Sequence, residues 1–291
     1  MANVEVTPSV DVAIVMFGGA EHLSACLAAL DAQGDVIGTV IVIDNAADND
    51  VAIVVEGRAV TYIRNADNVG YAAAMNQAYA LSTAPYLLSL NADCELHAGY
   101  VDACVSELVA QPASAAVTGT LRLPNGAIDS TGITVSAAGQ ARDRDRMRTV
   151  PSPEPEPFGV SGAAALWRRT ALDSVGPEPW WSWLFVYWDD VEIAWRLRRG
   201  GWTFRHVPGA TATHQRGSDS ASPDFIEAQS LRNRLATLAR HKGAKGLLEP
   251  RVLAASVATI ARLALRHPRA LVKAQPFTAV RVGINERRHD L

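Results

Sequence analysis

The sequence predicts an α/β protein built on a mainly parallel sheet flanked by helices. Three observations support this. Short apolar runs recur through the first 120 residues, helix-period segments separate them, and an Asp or Asn stands where two of the runs end. The first run, VDVAIVMF at 10–17, precedes AEHLSACLAALDAQG, whose Leu23, Cys26, Leu27 and Leu30 recur at helical spacing before Gly34 stops the pattern. TVIVIDN (39–45), VTYIR (60–64), YLLSLN (86–91) and AAVTG (115–119) read as further strands, with helices around 70–82 and 98–110. Ligands of such sheets sit beyond the carboxyl ends of the strands, where Asp44 and Asp93 fall.

LRLPNGAIDSTGITV reads as a hairpin excursion around Asn125-Gly126. Residues 139–157 have four prolines, mixed charges and no periodicity, so a mobile linker is expected there, able to gate an acceptor. A short helix at about 190–199, closed by Gly200-Gly201, a strand at 203–207 and mostly helix complete the chain. Three units are expected: a nucleotide-binding half at 1–120, an acceptor-binding and catalytic half at 121–222, and a basic helical extension at 223–291.

At 291 residues, 48% hydrophobic and 20% charged, the chain can bury a sizeable core and does not resemble a disordered protein. The opening MANVEVTPSVDV has no basic segment leading into an apolar one, and VLAASVATIA at 252–261 is too short to span a bilayer, so an uncleaved cytoplasmic protein is expected. Cys26, Cys94 and Cys104 show no CxxC spacing, which argues against a disulfide framework and a zinc knuckle. The net charge of -3 conceals an asymmetry: from Arg232 to Arg288 there are 13 Lys plus Arg against Glu249 and Glu286. Two readings stay open, a solvated helical surface or peripheral contact with anionic lipid at the inner face of the plasma membrane. No recognition motif accompanies the charge, so no nucleic-acid partner is expected.

Phosphate chemistry needs a device. The residues after the first strand, FGGAEH, lack the GxGxxG fingerprint, and the chain has no GxxxxGK[ST] loop. The common alternative is a divalent cation on carboxylate oxygens, which Asn91-Ala92-Asp93 could hold.

Six segments in order resemble the inverting family 2 glycosyltransferases of the GT-A fold, especially their rhamnosyltransferase-like branch, over roughly residues 10–240. They are VAIVMFGGAEHLSACLAAL, VIVIDNAADND, NADNVGYAAAMNQAY, LLSLNADCEL, YWDDVEIAWRLRRGGW and HQRGSD. The resemblance implies that Asp44 reads the nucleotide base and that LNAD is a form of the Asp-x-Asp motif with Asn91 in place of its first Asp. It implies an Mn2+ or Mg2+ ion on Asp93, with His214 as a further ligand, and Asp190 as general base with Asp189 beside it in a position usually held by Glu. That shortening leaves room for the two roles to be reversed.

Side-chain chemistry adds candidates and rivals. Asn68 and Asn76 can bond base or ribose edges, or merely make turns and caps. Asp189 and Glu192 have capping-box spacing, yet adjacent carboxylates after an aromatic stretch also suit a base of raised pKa. Trp181 and Trp183 can stack on sugar rings or fill the core, and Gly162-Ala163 would allow close approach of the donor sugar. Arg232 either contacts diphosphate or lies on a solvated helical face.

The implied activity is transfer of a sugar, with rhamnose from dTDP-rhamnose as first choice and UDP-linked donors open, to a glycan or polyprenyl-linked acceptor in cell-wall or polysaccharide synthesis. A sugar-phosphate nucleotidylyltransferase would want a basic Gly-rich first loop, which is missing. A non-catalytic nucleotide-sugar scaffold is the remaining rival.

Overall fold

The computed structural model describes residues 9–18, 20–45, 50–154, 156–216 and 221–290. The opening residues 1–8, residues 46–49 of the DNAADND segment and residues 217–219 of HQRGSD lie outside them. Strand and helix alternate through β1 (Val10–Met16), α1 (Ala20–Asp31), β2 (Ile37–Asp44), α2 (Asp50–Val55), β3 (Val60–Arg64), α3 (Tyr71–Leu81), β4 (Tyr86–Leu90), β5 (Cys94–Leu96), α4 (Tyr100–Ala110) and β6 (Ser114–Arg122). Then follow β7 (Ile128–Ser130), β8 (Ile133–Val135), β9 (Ala141–Asp143), β10 (Ala164–Arg168), α5 (Arg169–Asp173), α6 (Asp189–Arg199) and β11 (Thr203–His214). The chain closes with α7 (Pro223–Leu247), α8 (Pro250–Arg266), α9 (Pro268–Ala274) and α10 (Pro276–His289), α7 being interrupted by non-helical backbone at Gly243.

The main sheet runs β3-β2-β1-β4-β10-β6-β11-β5, with β7 on β6. The β1–β2, β1–β4, β2–β3 and β6–β11 pairs are parallel, and β10 enters antiparallel between β4 and β6. Alternation along β1 assigns the two faces. Val10, Val12, Ile14 and Met16 pack with α1, α2 and α4, while Ala13 joins α3, α5 and α6 on the other side. A third cluster, centred on Leu231, Leu235 and Leu263, unites the C-terminal helices.

Several elements differ from expectation. β10 was hidden because its Ala-rich segment is buried between two strands and shows neither β-branched enrichment nor alternation. β11 continues past residue 207 to His214, across an irregularity where Gly119 of β6 lies so close that a Cβ would stand 2.3 Å from the Ala210 carbonyl oxygen. The segment read as a mobile linker instead forms β9 and packs along β7. Ile128 N–H donates to Arg148 (2.8 Å), Thr131 N–H donates to Arg144 (3.1 Å), and Asp145 accepts from the Thr131 hydroxyl (2.7 Å). Its alternating Arg and Asp form ion pairs, a pattern without hydrophobic period. All three cysteines are buried free thiols.

Asp11 fastens the amino ends of the central strands. It is buried and accepts from Thr39 N–H (2.8 Å), the Ser82 hydroxyl (2.9 Å), Thr83 N–H (2.9 Å) and Ala84 N–H (3.0 Å). Burial alone would raise its pKa, but the four bonds win and hold it below the usual 3.8. Asp11→Ala strands these donors, and should cost about 2–4 kcal/mol in urea unfolding at neutral pH. Because the folded pKa is depressed, the deficit should shrink as pH falls below 3.8.

Candidate active site

β2 ends at Asp44, which is completely buried and accepts a hydrogen bond from the Tyr62 hydroxyl of β3 (2.7 Å). Its neighbour Asn45 accepts from Asn65 Nδ2 (2.8 Å) and donates to the Gly70 carbonyl (3.4 Å). Asn68 uses its side-chain oxygen on Gly70 N–H (2.9 Å), an Asx turn leading the chain into α3. Gly70 has φ +84°, and a Cβ there would lie 2.4 Å from the Phe185 ring, so this turn requires glycine. Of the two roles open to Asn76, the structure shows bonds within the protein. Its Nδ2 donates to the Trp180 carbonyl (2.7 Å) and Ser182 Oγ (3.1 Å), and its Oδ1 accepts Trp180 N–H (3.0 Å). The amide thus pins the aromatic loop onto α3.

Beyond β4 the chain places Asp93 beside His214, the last residue of β11, whose neighbour in register is Cys94 of β5. His214 Nε2 lies 3.2 Å from Asp93 Oδ1, and its Nδ1 lies 2.8 Å from Asp129 Oδ2 on β7. All three side chains are buried. The second carboxylate oxygen of Asp129 meets Arg216 Nε (2.6 Å) and Arg146 Nη1 (2.7 Å). Burial disfavours an imidazolium here, but the bonds to Asp129 and Asp93 outweigh it and raise His214 to about 9.

Among the described residues no cluster of three or more His, Cys, Asp or Glu is arranged to hold a metal ion. Asp93 and His214 would nevertheless supply two ligands to a divalent cation that displaces the His214 Nε2 proton, and Asp129 fixes the other ring nitrogen, as is usual for metal-ligating histidines. The remaining positions would need oxygens from a ligand. Asn91 donates its backbone N–H to the Ala163 carbonyl (2.9 Å), which brings Gly162-Ala163 against the end of β4.

Across from this pair stand Asp189 and Asp190, in the first turn of α6. The capping box does not form: Trp188 is the N-cap residue, and Glu192 turns inward to Arg196 (2.9 Å), Arg240 (3.0 Å) and His241 (3.3 Å). Asp190 accepts Val191 N–H (2.8 Å). Burial pushes both carboxyl groups upward, Asp189 to about 6, and the charges of Asp189 and Asp143 add to the rise at Asp190. Tyr71, whose hydroxyl is pushed up by burial and by both carboxylates, completes this wall; its Oη would lie 3.3 Å from a Cβ on Gly162. The two walls are bridged electrostatically, since Asp143 pairs with Arg216 (2.7 Å), which also holds Asp129.

The loop before α6 is strained, with φ of +66° at Phe185, +65° at Tyr187 and +68° at Trp188. Asn233 of α7 holds it by donating to the carbonyls of Leu184 (2.7 Å), Val186 (2.8 Å) and Tyr187 (2.8 Å). Arg232 is engaged in the same anchoring, donating to the Trp183 carbonyl (2.7 Å) and lying 3.8 Å from the centre of a Trp183 ring. Trp181 and Trp183 stack on each other at 5.4 Å, half-buried, with Arg240 over Trp181. Both indoles therefore join the aromatic loop to the C-terminal helices.

Asp129, Arg146 and Arg216 were not singled out from the sequence. They sit in a hairpin and two loops, and only the fold brings them to His214. Tyr71 had a signal, being the aromatic residue of the Asn68-x-Gly70-Tyr71 segment.

The model for "Glycosyl transferase family 2" matches residues 11–176. The chain belongs to glycosyltransferase family 2. Asp44, Asn68, Asn76, Asn91, Asp93, Gly162 and Ala163 fall inside the matched segment, and the Asp189-Asp190 pair and His214 fall outside it. No curated protein sequence matches the chain significantly. Among solved structures, it resembles the mannosyltransferase PcManGT from Pyrobaculum calidifontis in complex with GDP-Man and Mn2+, with TM-score 0.60, 15% identity and coverage of 98% of this chain and 88% of that one. It also resembles GalNAc-T7 with UDP, GalNAc and Mn2+, with TM-score 0.64, 13% identity and coverage of 98% and 57% respectively. The family 2 chain thus has the GT-A fold.

Asp129→Ala removes the group that orients His214 without touching the cation ligands. Mn2+ titrated in the presence of saturating UDP or dTDP should bind about 10–100-fold more weakly than to the parent protein.

Proposed function

We propose that this family 2 chain transfers a sugar from a nucleoside diphosphate to an acceptor hydroxyl by one direct displacement, inverting the anomeric centre. The observation that carries the reading is that the buried Asp93–His214 contact and a pair of carboxyl groups of raised pKa are linked through Asp129, Arg216 and Asp143. Asp44 accepts from the base, held by Tyr62. Asn68 and Asn76 shape the walls, the first by turning the chain into α3 and the second by fixing Trp180. Asp93 and His214 would hold a divalent cation such as Mn2+ or Mg2+, which would supply charge neutralisation for the departing diphosphate. Gly162-Ala163 leaves room for the donor sugar, and Asn91, beside it, offers a neutral amide.

Asp190 takes the proton of the acceptor hydroxyl. Its raised pKa brings the acceptor-side base closer to the hydroxyl it must deprotonate, and the adjacent Asp189 sustains that shift. No protein nucleophile is required. Mn2+ and nucleotide ligands in the two solved relatives support cation and donor use. The motif resemblance favours dTDP-rhamnose as donor and a polyprenyl-linked or glycan acceptor, and UDP-sugars are the next choice.

Turnover should first be sought with dTDP-rhamnose, UDP-glucose, UDP-galactose and UDP-GlcNAc. With the donor that works, Asp190→Asn should lower kcat about 10²–10⁴-fold while donor affinity stays within about threefold. Unchanged turnover would remove Asp190 as the base, and absence of transfer from a wider donor panel would favour the scaffold reading.

The sign of the pH effect is also fixed. A base with a raised pKa must ionise, so kcat should fall with decreasing pH along a limb well above the ordinary 3.8 of an aspartate. A raised folded pKa favours folding below 3.8 and loses that contribution as pH rises, so Asp190→Asn should raise Tm at neutral pH by about 2–4 °C.

A further inference from the structure

The C-terminal helices carry a surface that the reaction does not use. The three most exposed large apolar side chains among the described residues are Phe277 (92%), Leu265 (86%) and Val272 (77%), all at the turns joining α8, α9 and α10. Between and beside them stand Arg266, Arg269, Lys273 and Arg281, all exposed. From Pro250 to Asn285 the sequence contains six Lys and Arg and no acidic residue. Of the six, only Arg262 forms an ion pair within the described protein, with Glu227.

α8 extends the surface. Its Val252 and Leu263 are buried, while Leu253, Ala254, Val257, Ala258, Ala261, Ala264 and Leu265 are exposed, and their spacing places them along one face of the helix. A water-facing helix face would be polar. This one is apolar, and Arg251 and Arg266 stand near its two ends. No helix among the described residues is long and apolar enough to cross a membrane.

We propose that this face of α8 and the α8–α10 turns dock on the surface of an anionic lipid bilayer. The charge selects the occupant. Asp224 and Glu227 of α7 are taken up by His267 and Arg262, whereas Arg251, Arg266, Arg269, Lys273 and Arg281 form no ion pair among the described residues and suit phosphate headgroups, and the interspersed Leu, Val and Phe side chains suit the headgroup–acyl boundary. A second copy of the chain would set the same cations against each other. Much of the C-terminal charge is not available for this purpose: Arg232, Arg234, Arg240 and Arg287 point into the protein, on Trp183, Gly139, Asp290 and the His241 carbonyl. Docking thus depends on the later residues and on apolar contact. It stands independently of the transfer reaction.

Flotation of the full chain with phosphatidylcholine vesicles, with and without phosphatidylglycerol, tests this. Binding should require phosphatidylglycerol and weaken with added salt. R266E/R269E/K273E should abolish binding, and L265S/V272S/F277S should weaken it by about tenfold or more at unchanged charge. Circular dichroism should confirm that both variants, altered only at exposed positions, remain folded. Equal binding by all three proteins, or no binding by the parent, would overturn the proposal. So would a dimer in light scattering that the apolar variant dissociates while vesicle binding persists, since the face would then belong to a second copy.

Discussion

The buried contact of His214 with Asp93 and Asp129 is the constraint around which the site is arranged. It joins the end of β4, the end of β11 and the short strand β7, three pieces far apart in sequence. Two carboxylates and an imidazole removed from water would repel or neutralise if left alone, and Arg146 and Arg216 supply the compensating charge from the β9 region and the end of β11. The segment that looks like a charged linker therefore supports the Asp93–His214–Asp129 contact. Through Arg216 and Asp143 the same network reaches the field of Asp190.

A second dependence runs from the C-terminal helices to the carboxylate pair. Three residues with positive φ precede Asp189, a backbone that would relax unless held. Asn233 holds three of the loop's carbonyls, and the Arg232–Trp183 and Arg240–Trp181 contacts brace its aromatic side chains. Glu192, whose pKa is driven down to about 2 by Arg196, His241 and Arg240 in spite of complete burial, ties α6 to α7. Changes in the C-terminal region consequently reach the Asp189-Asp190 pair through packing and backbone hydrogen bonds.

Much of this was legible in the sequence, for reasons that differ by element. β1, β2 and β4 announce themselves as apolar runs because both faces are covered, and Asp44 and Asp93 were found because strand ends are where such sheets open. β10 is not legible, because its five residues, AALWR, include no β-branched side chain and show no alternation. Asn76 and Arg232 bond backbone carbonyls of the aromatic loop, a placement sequence does not reveal, because an amide or guanidinium bonds a carbonyl as readily as a nucleotide. Asp129 gave no signal, since its importance comes from a strand pairing that brings it to a histidine 85 residues away.

The most direct test of the central claim is the binding of Mn2+ followed by its electron paramagnetic resonance signal, without nucleotide and with UDP or dTDP. Two protein ligands completed by a diphosphate predict weak binding of the ion alone and much tighter binding once the nucleotide is present. Tight binding of Mn2+ without nucleotide, or nucleotide binding that chelation with EDTA leaves unchanged, would contradict it.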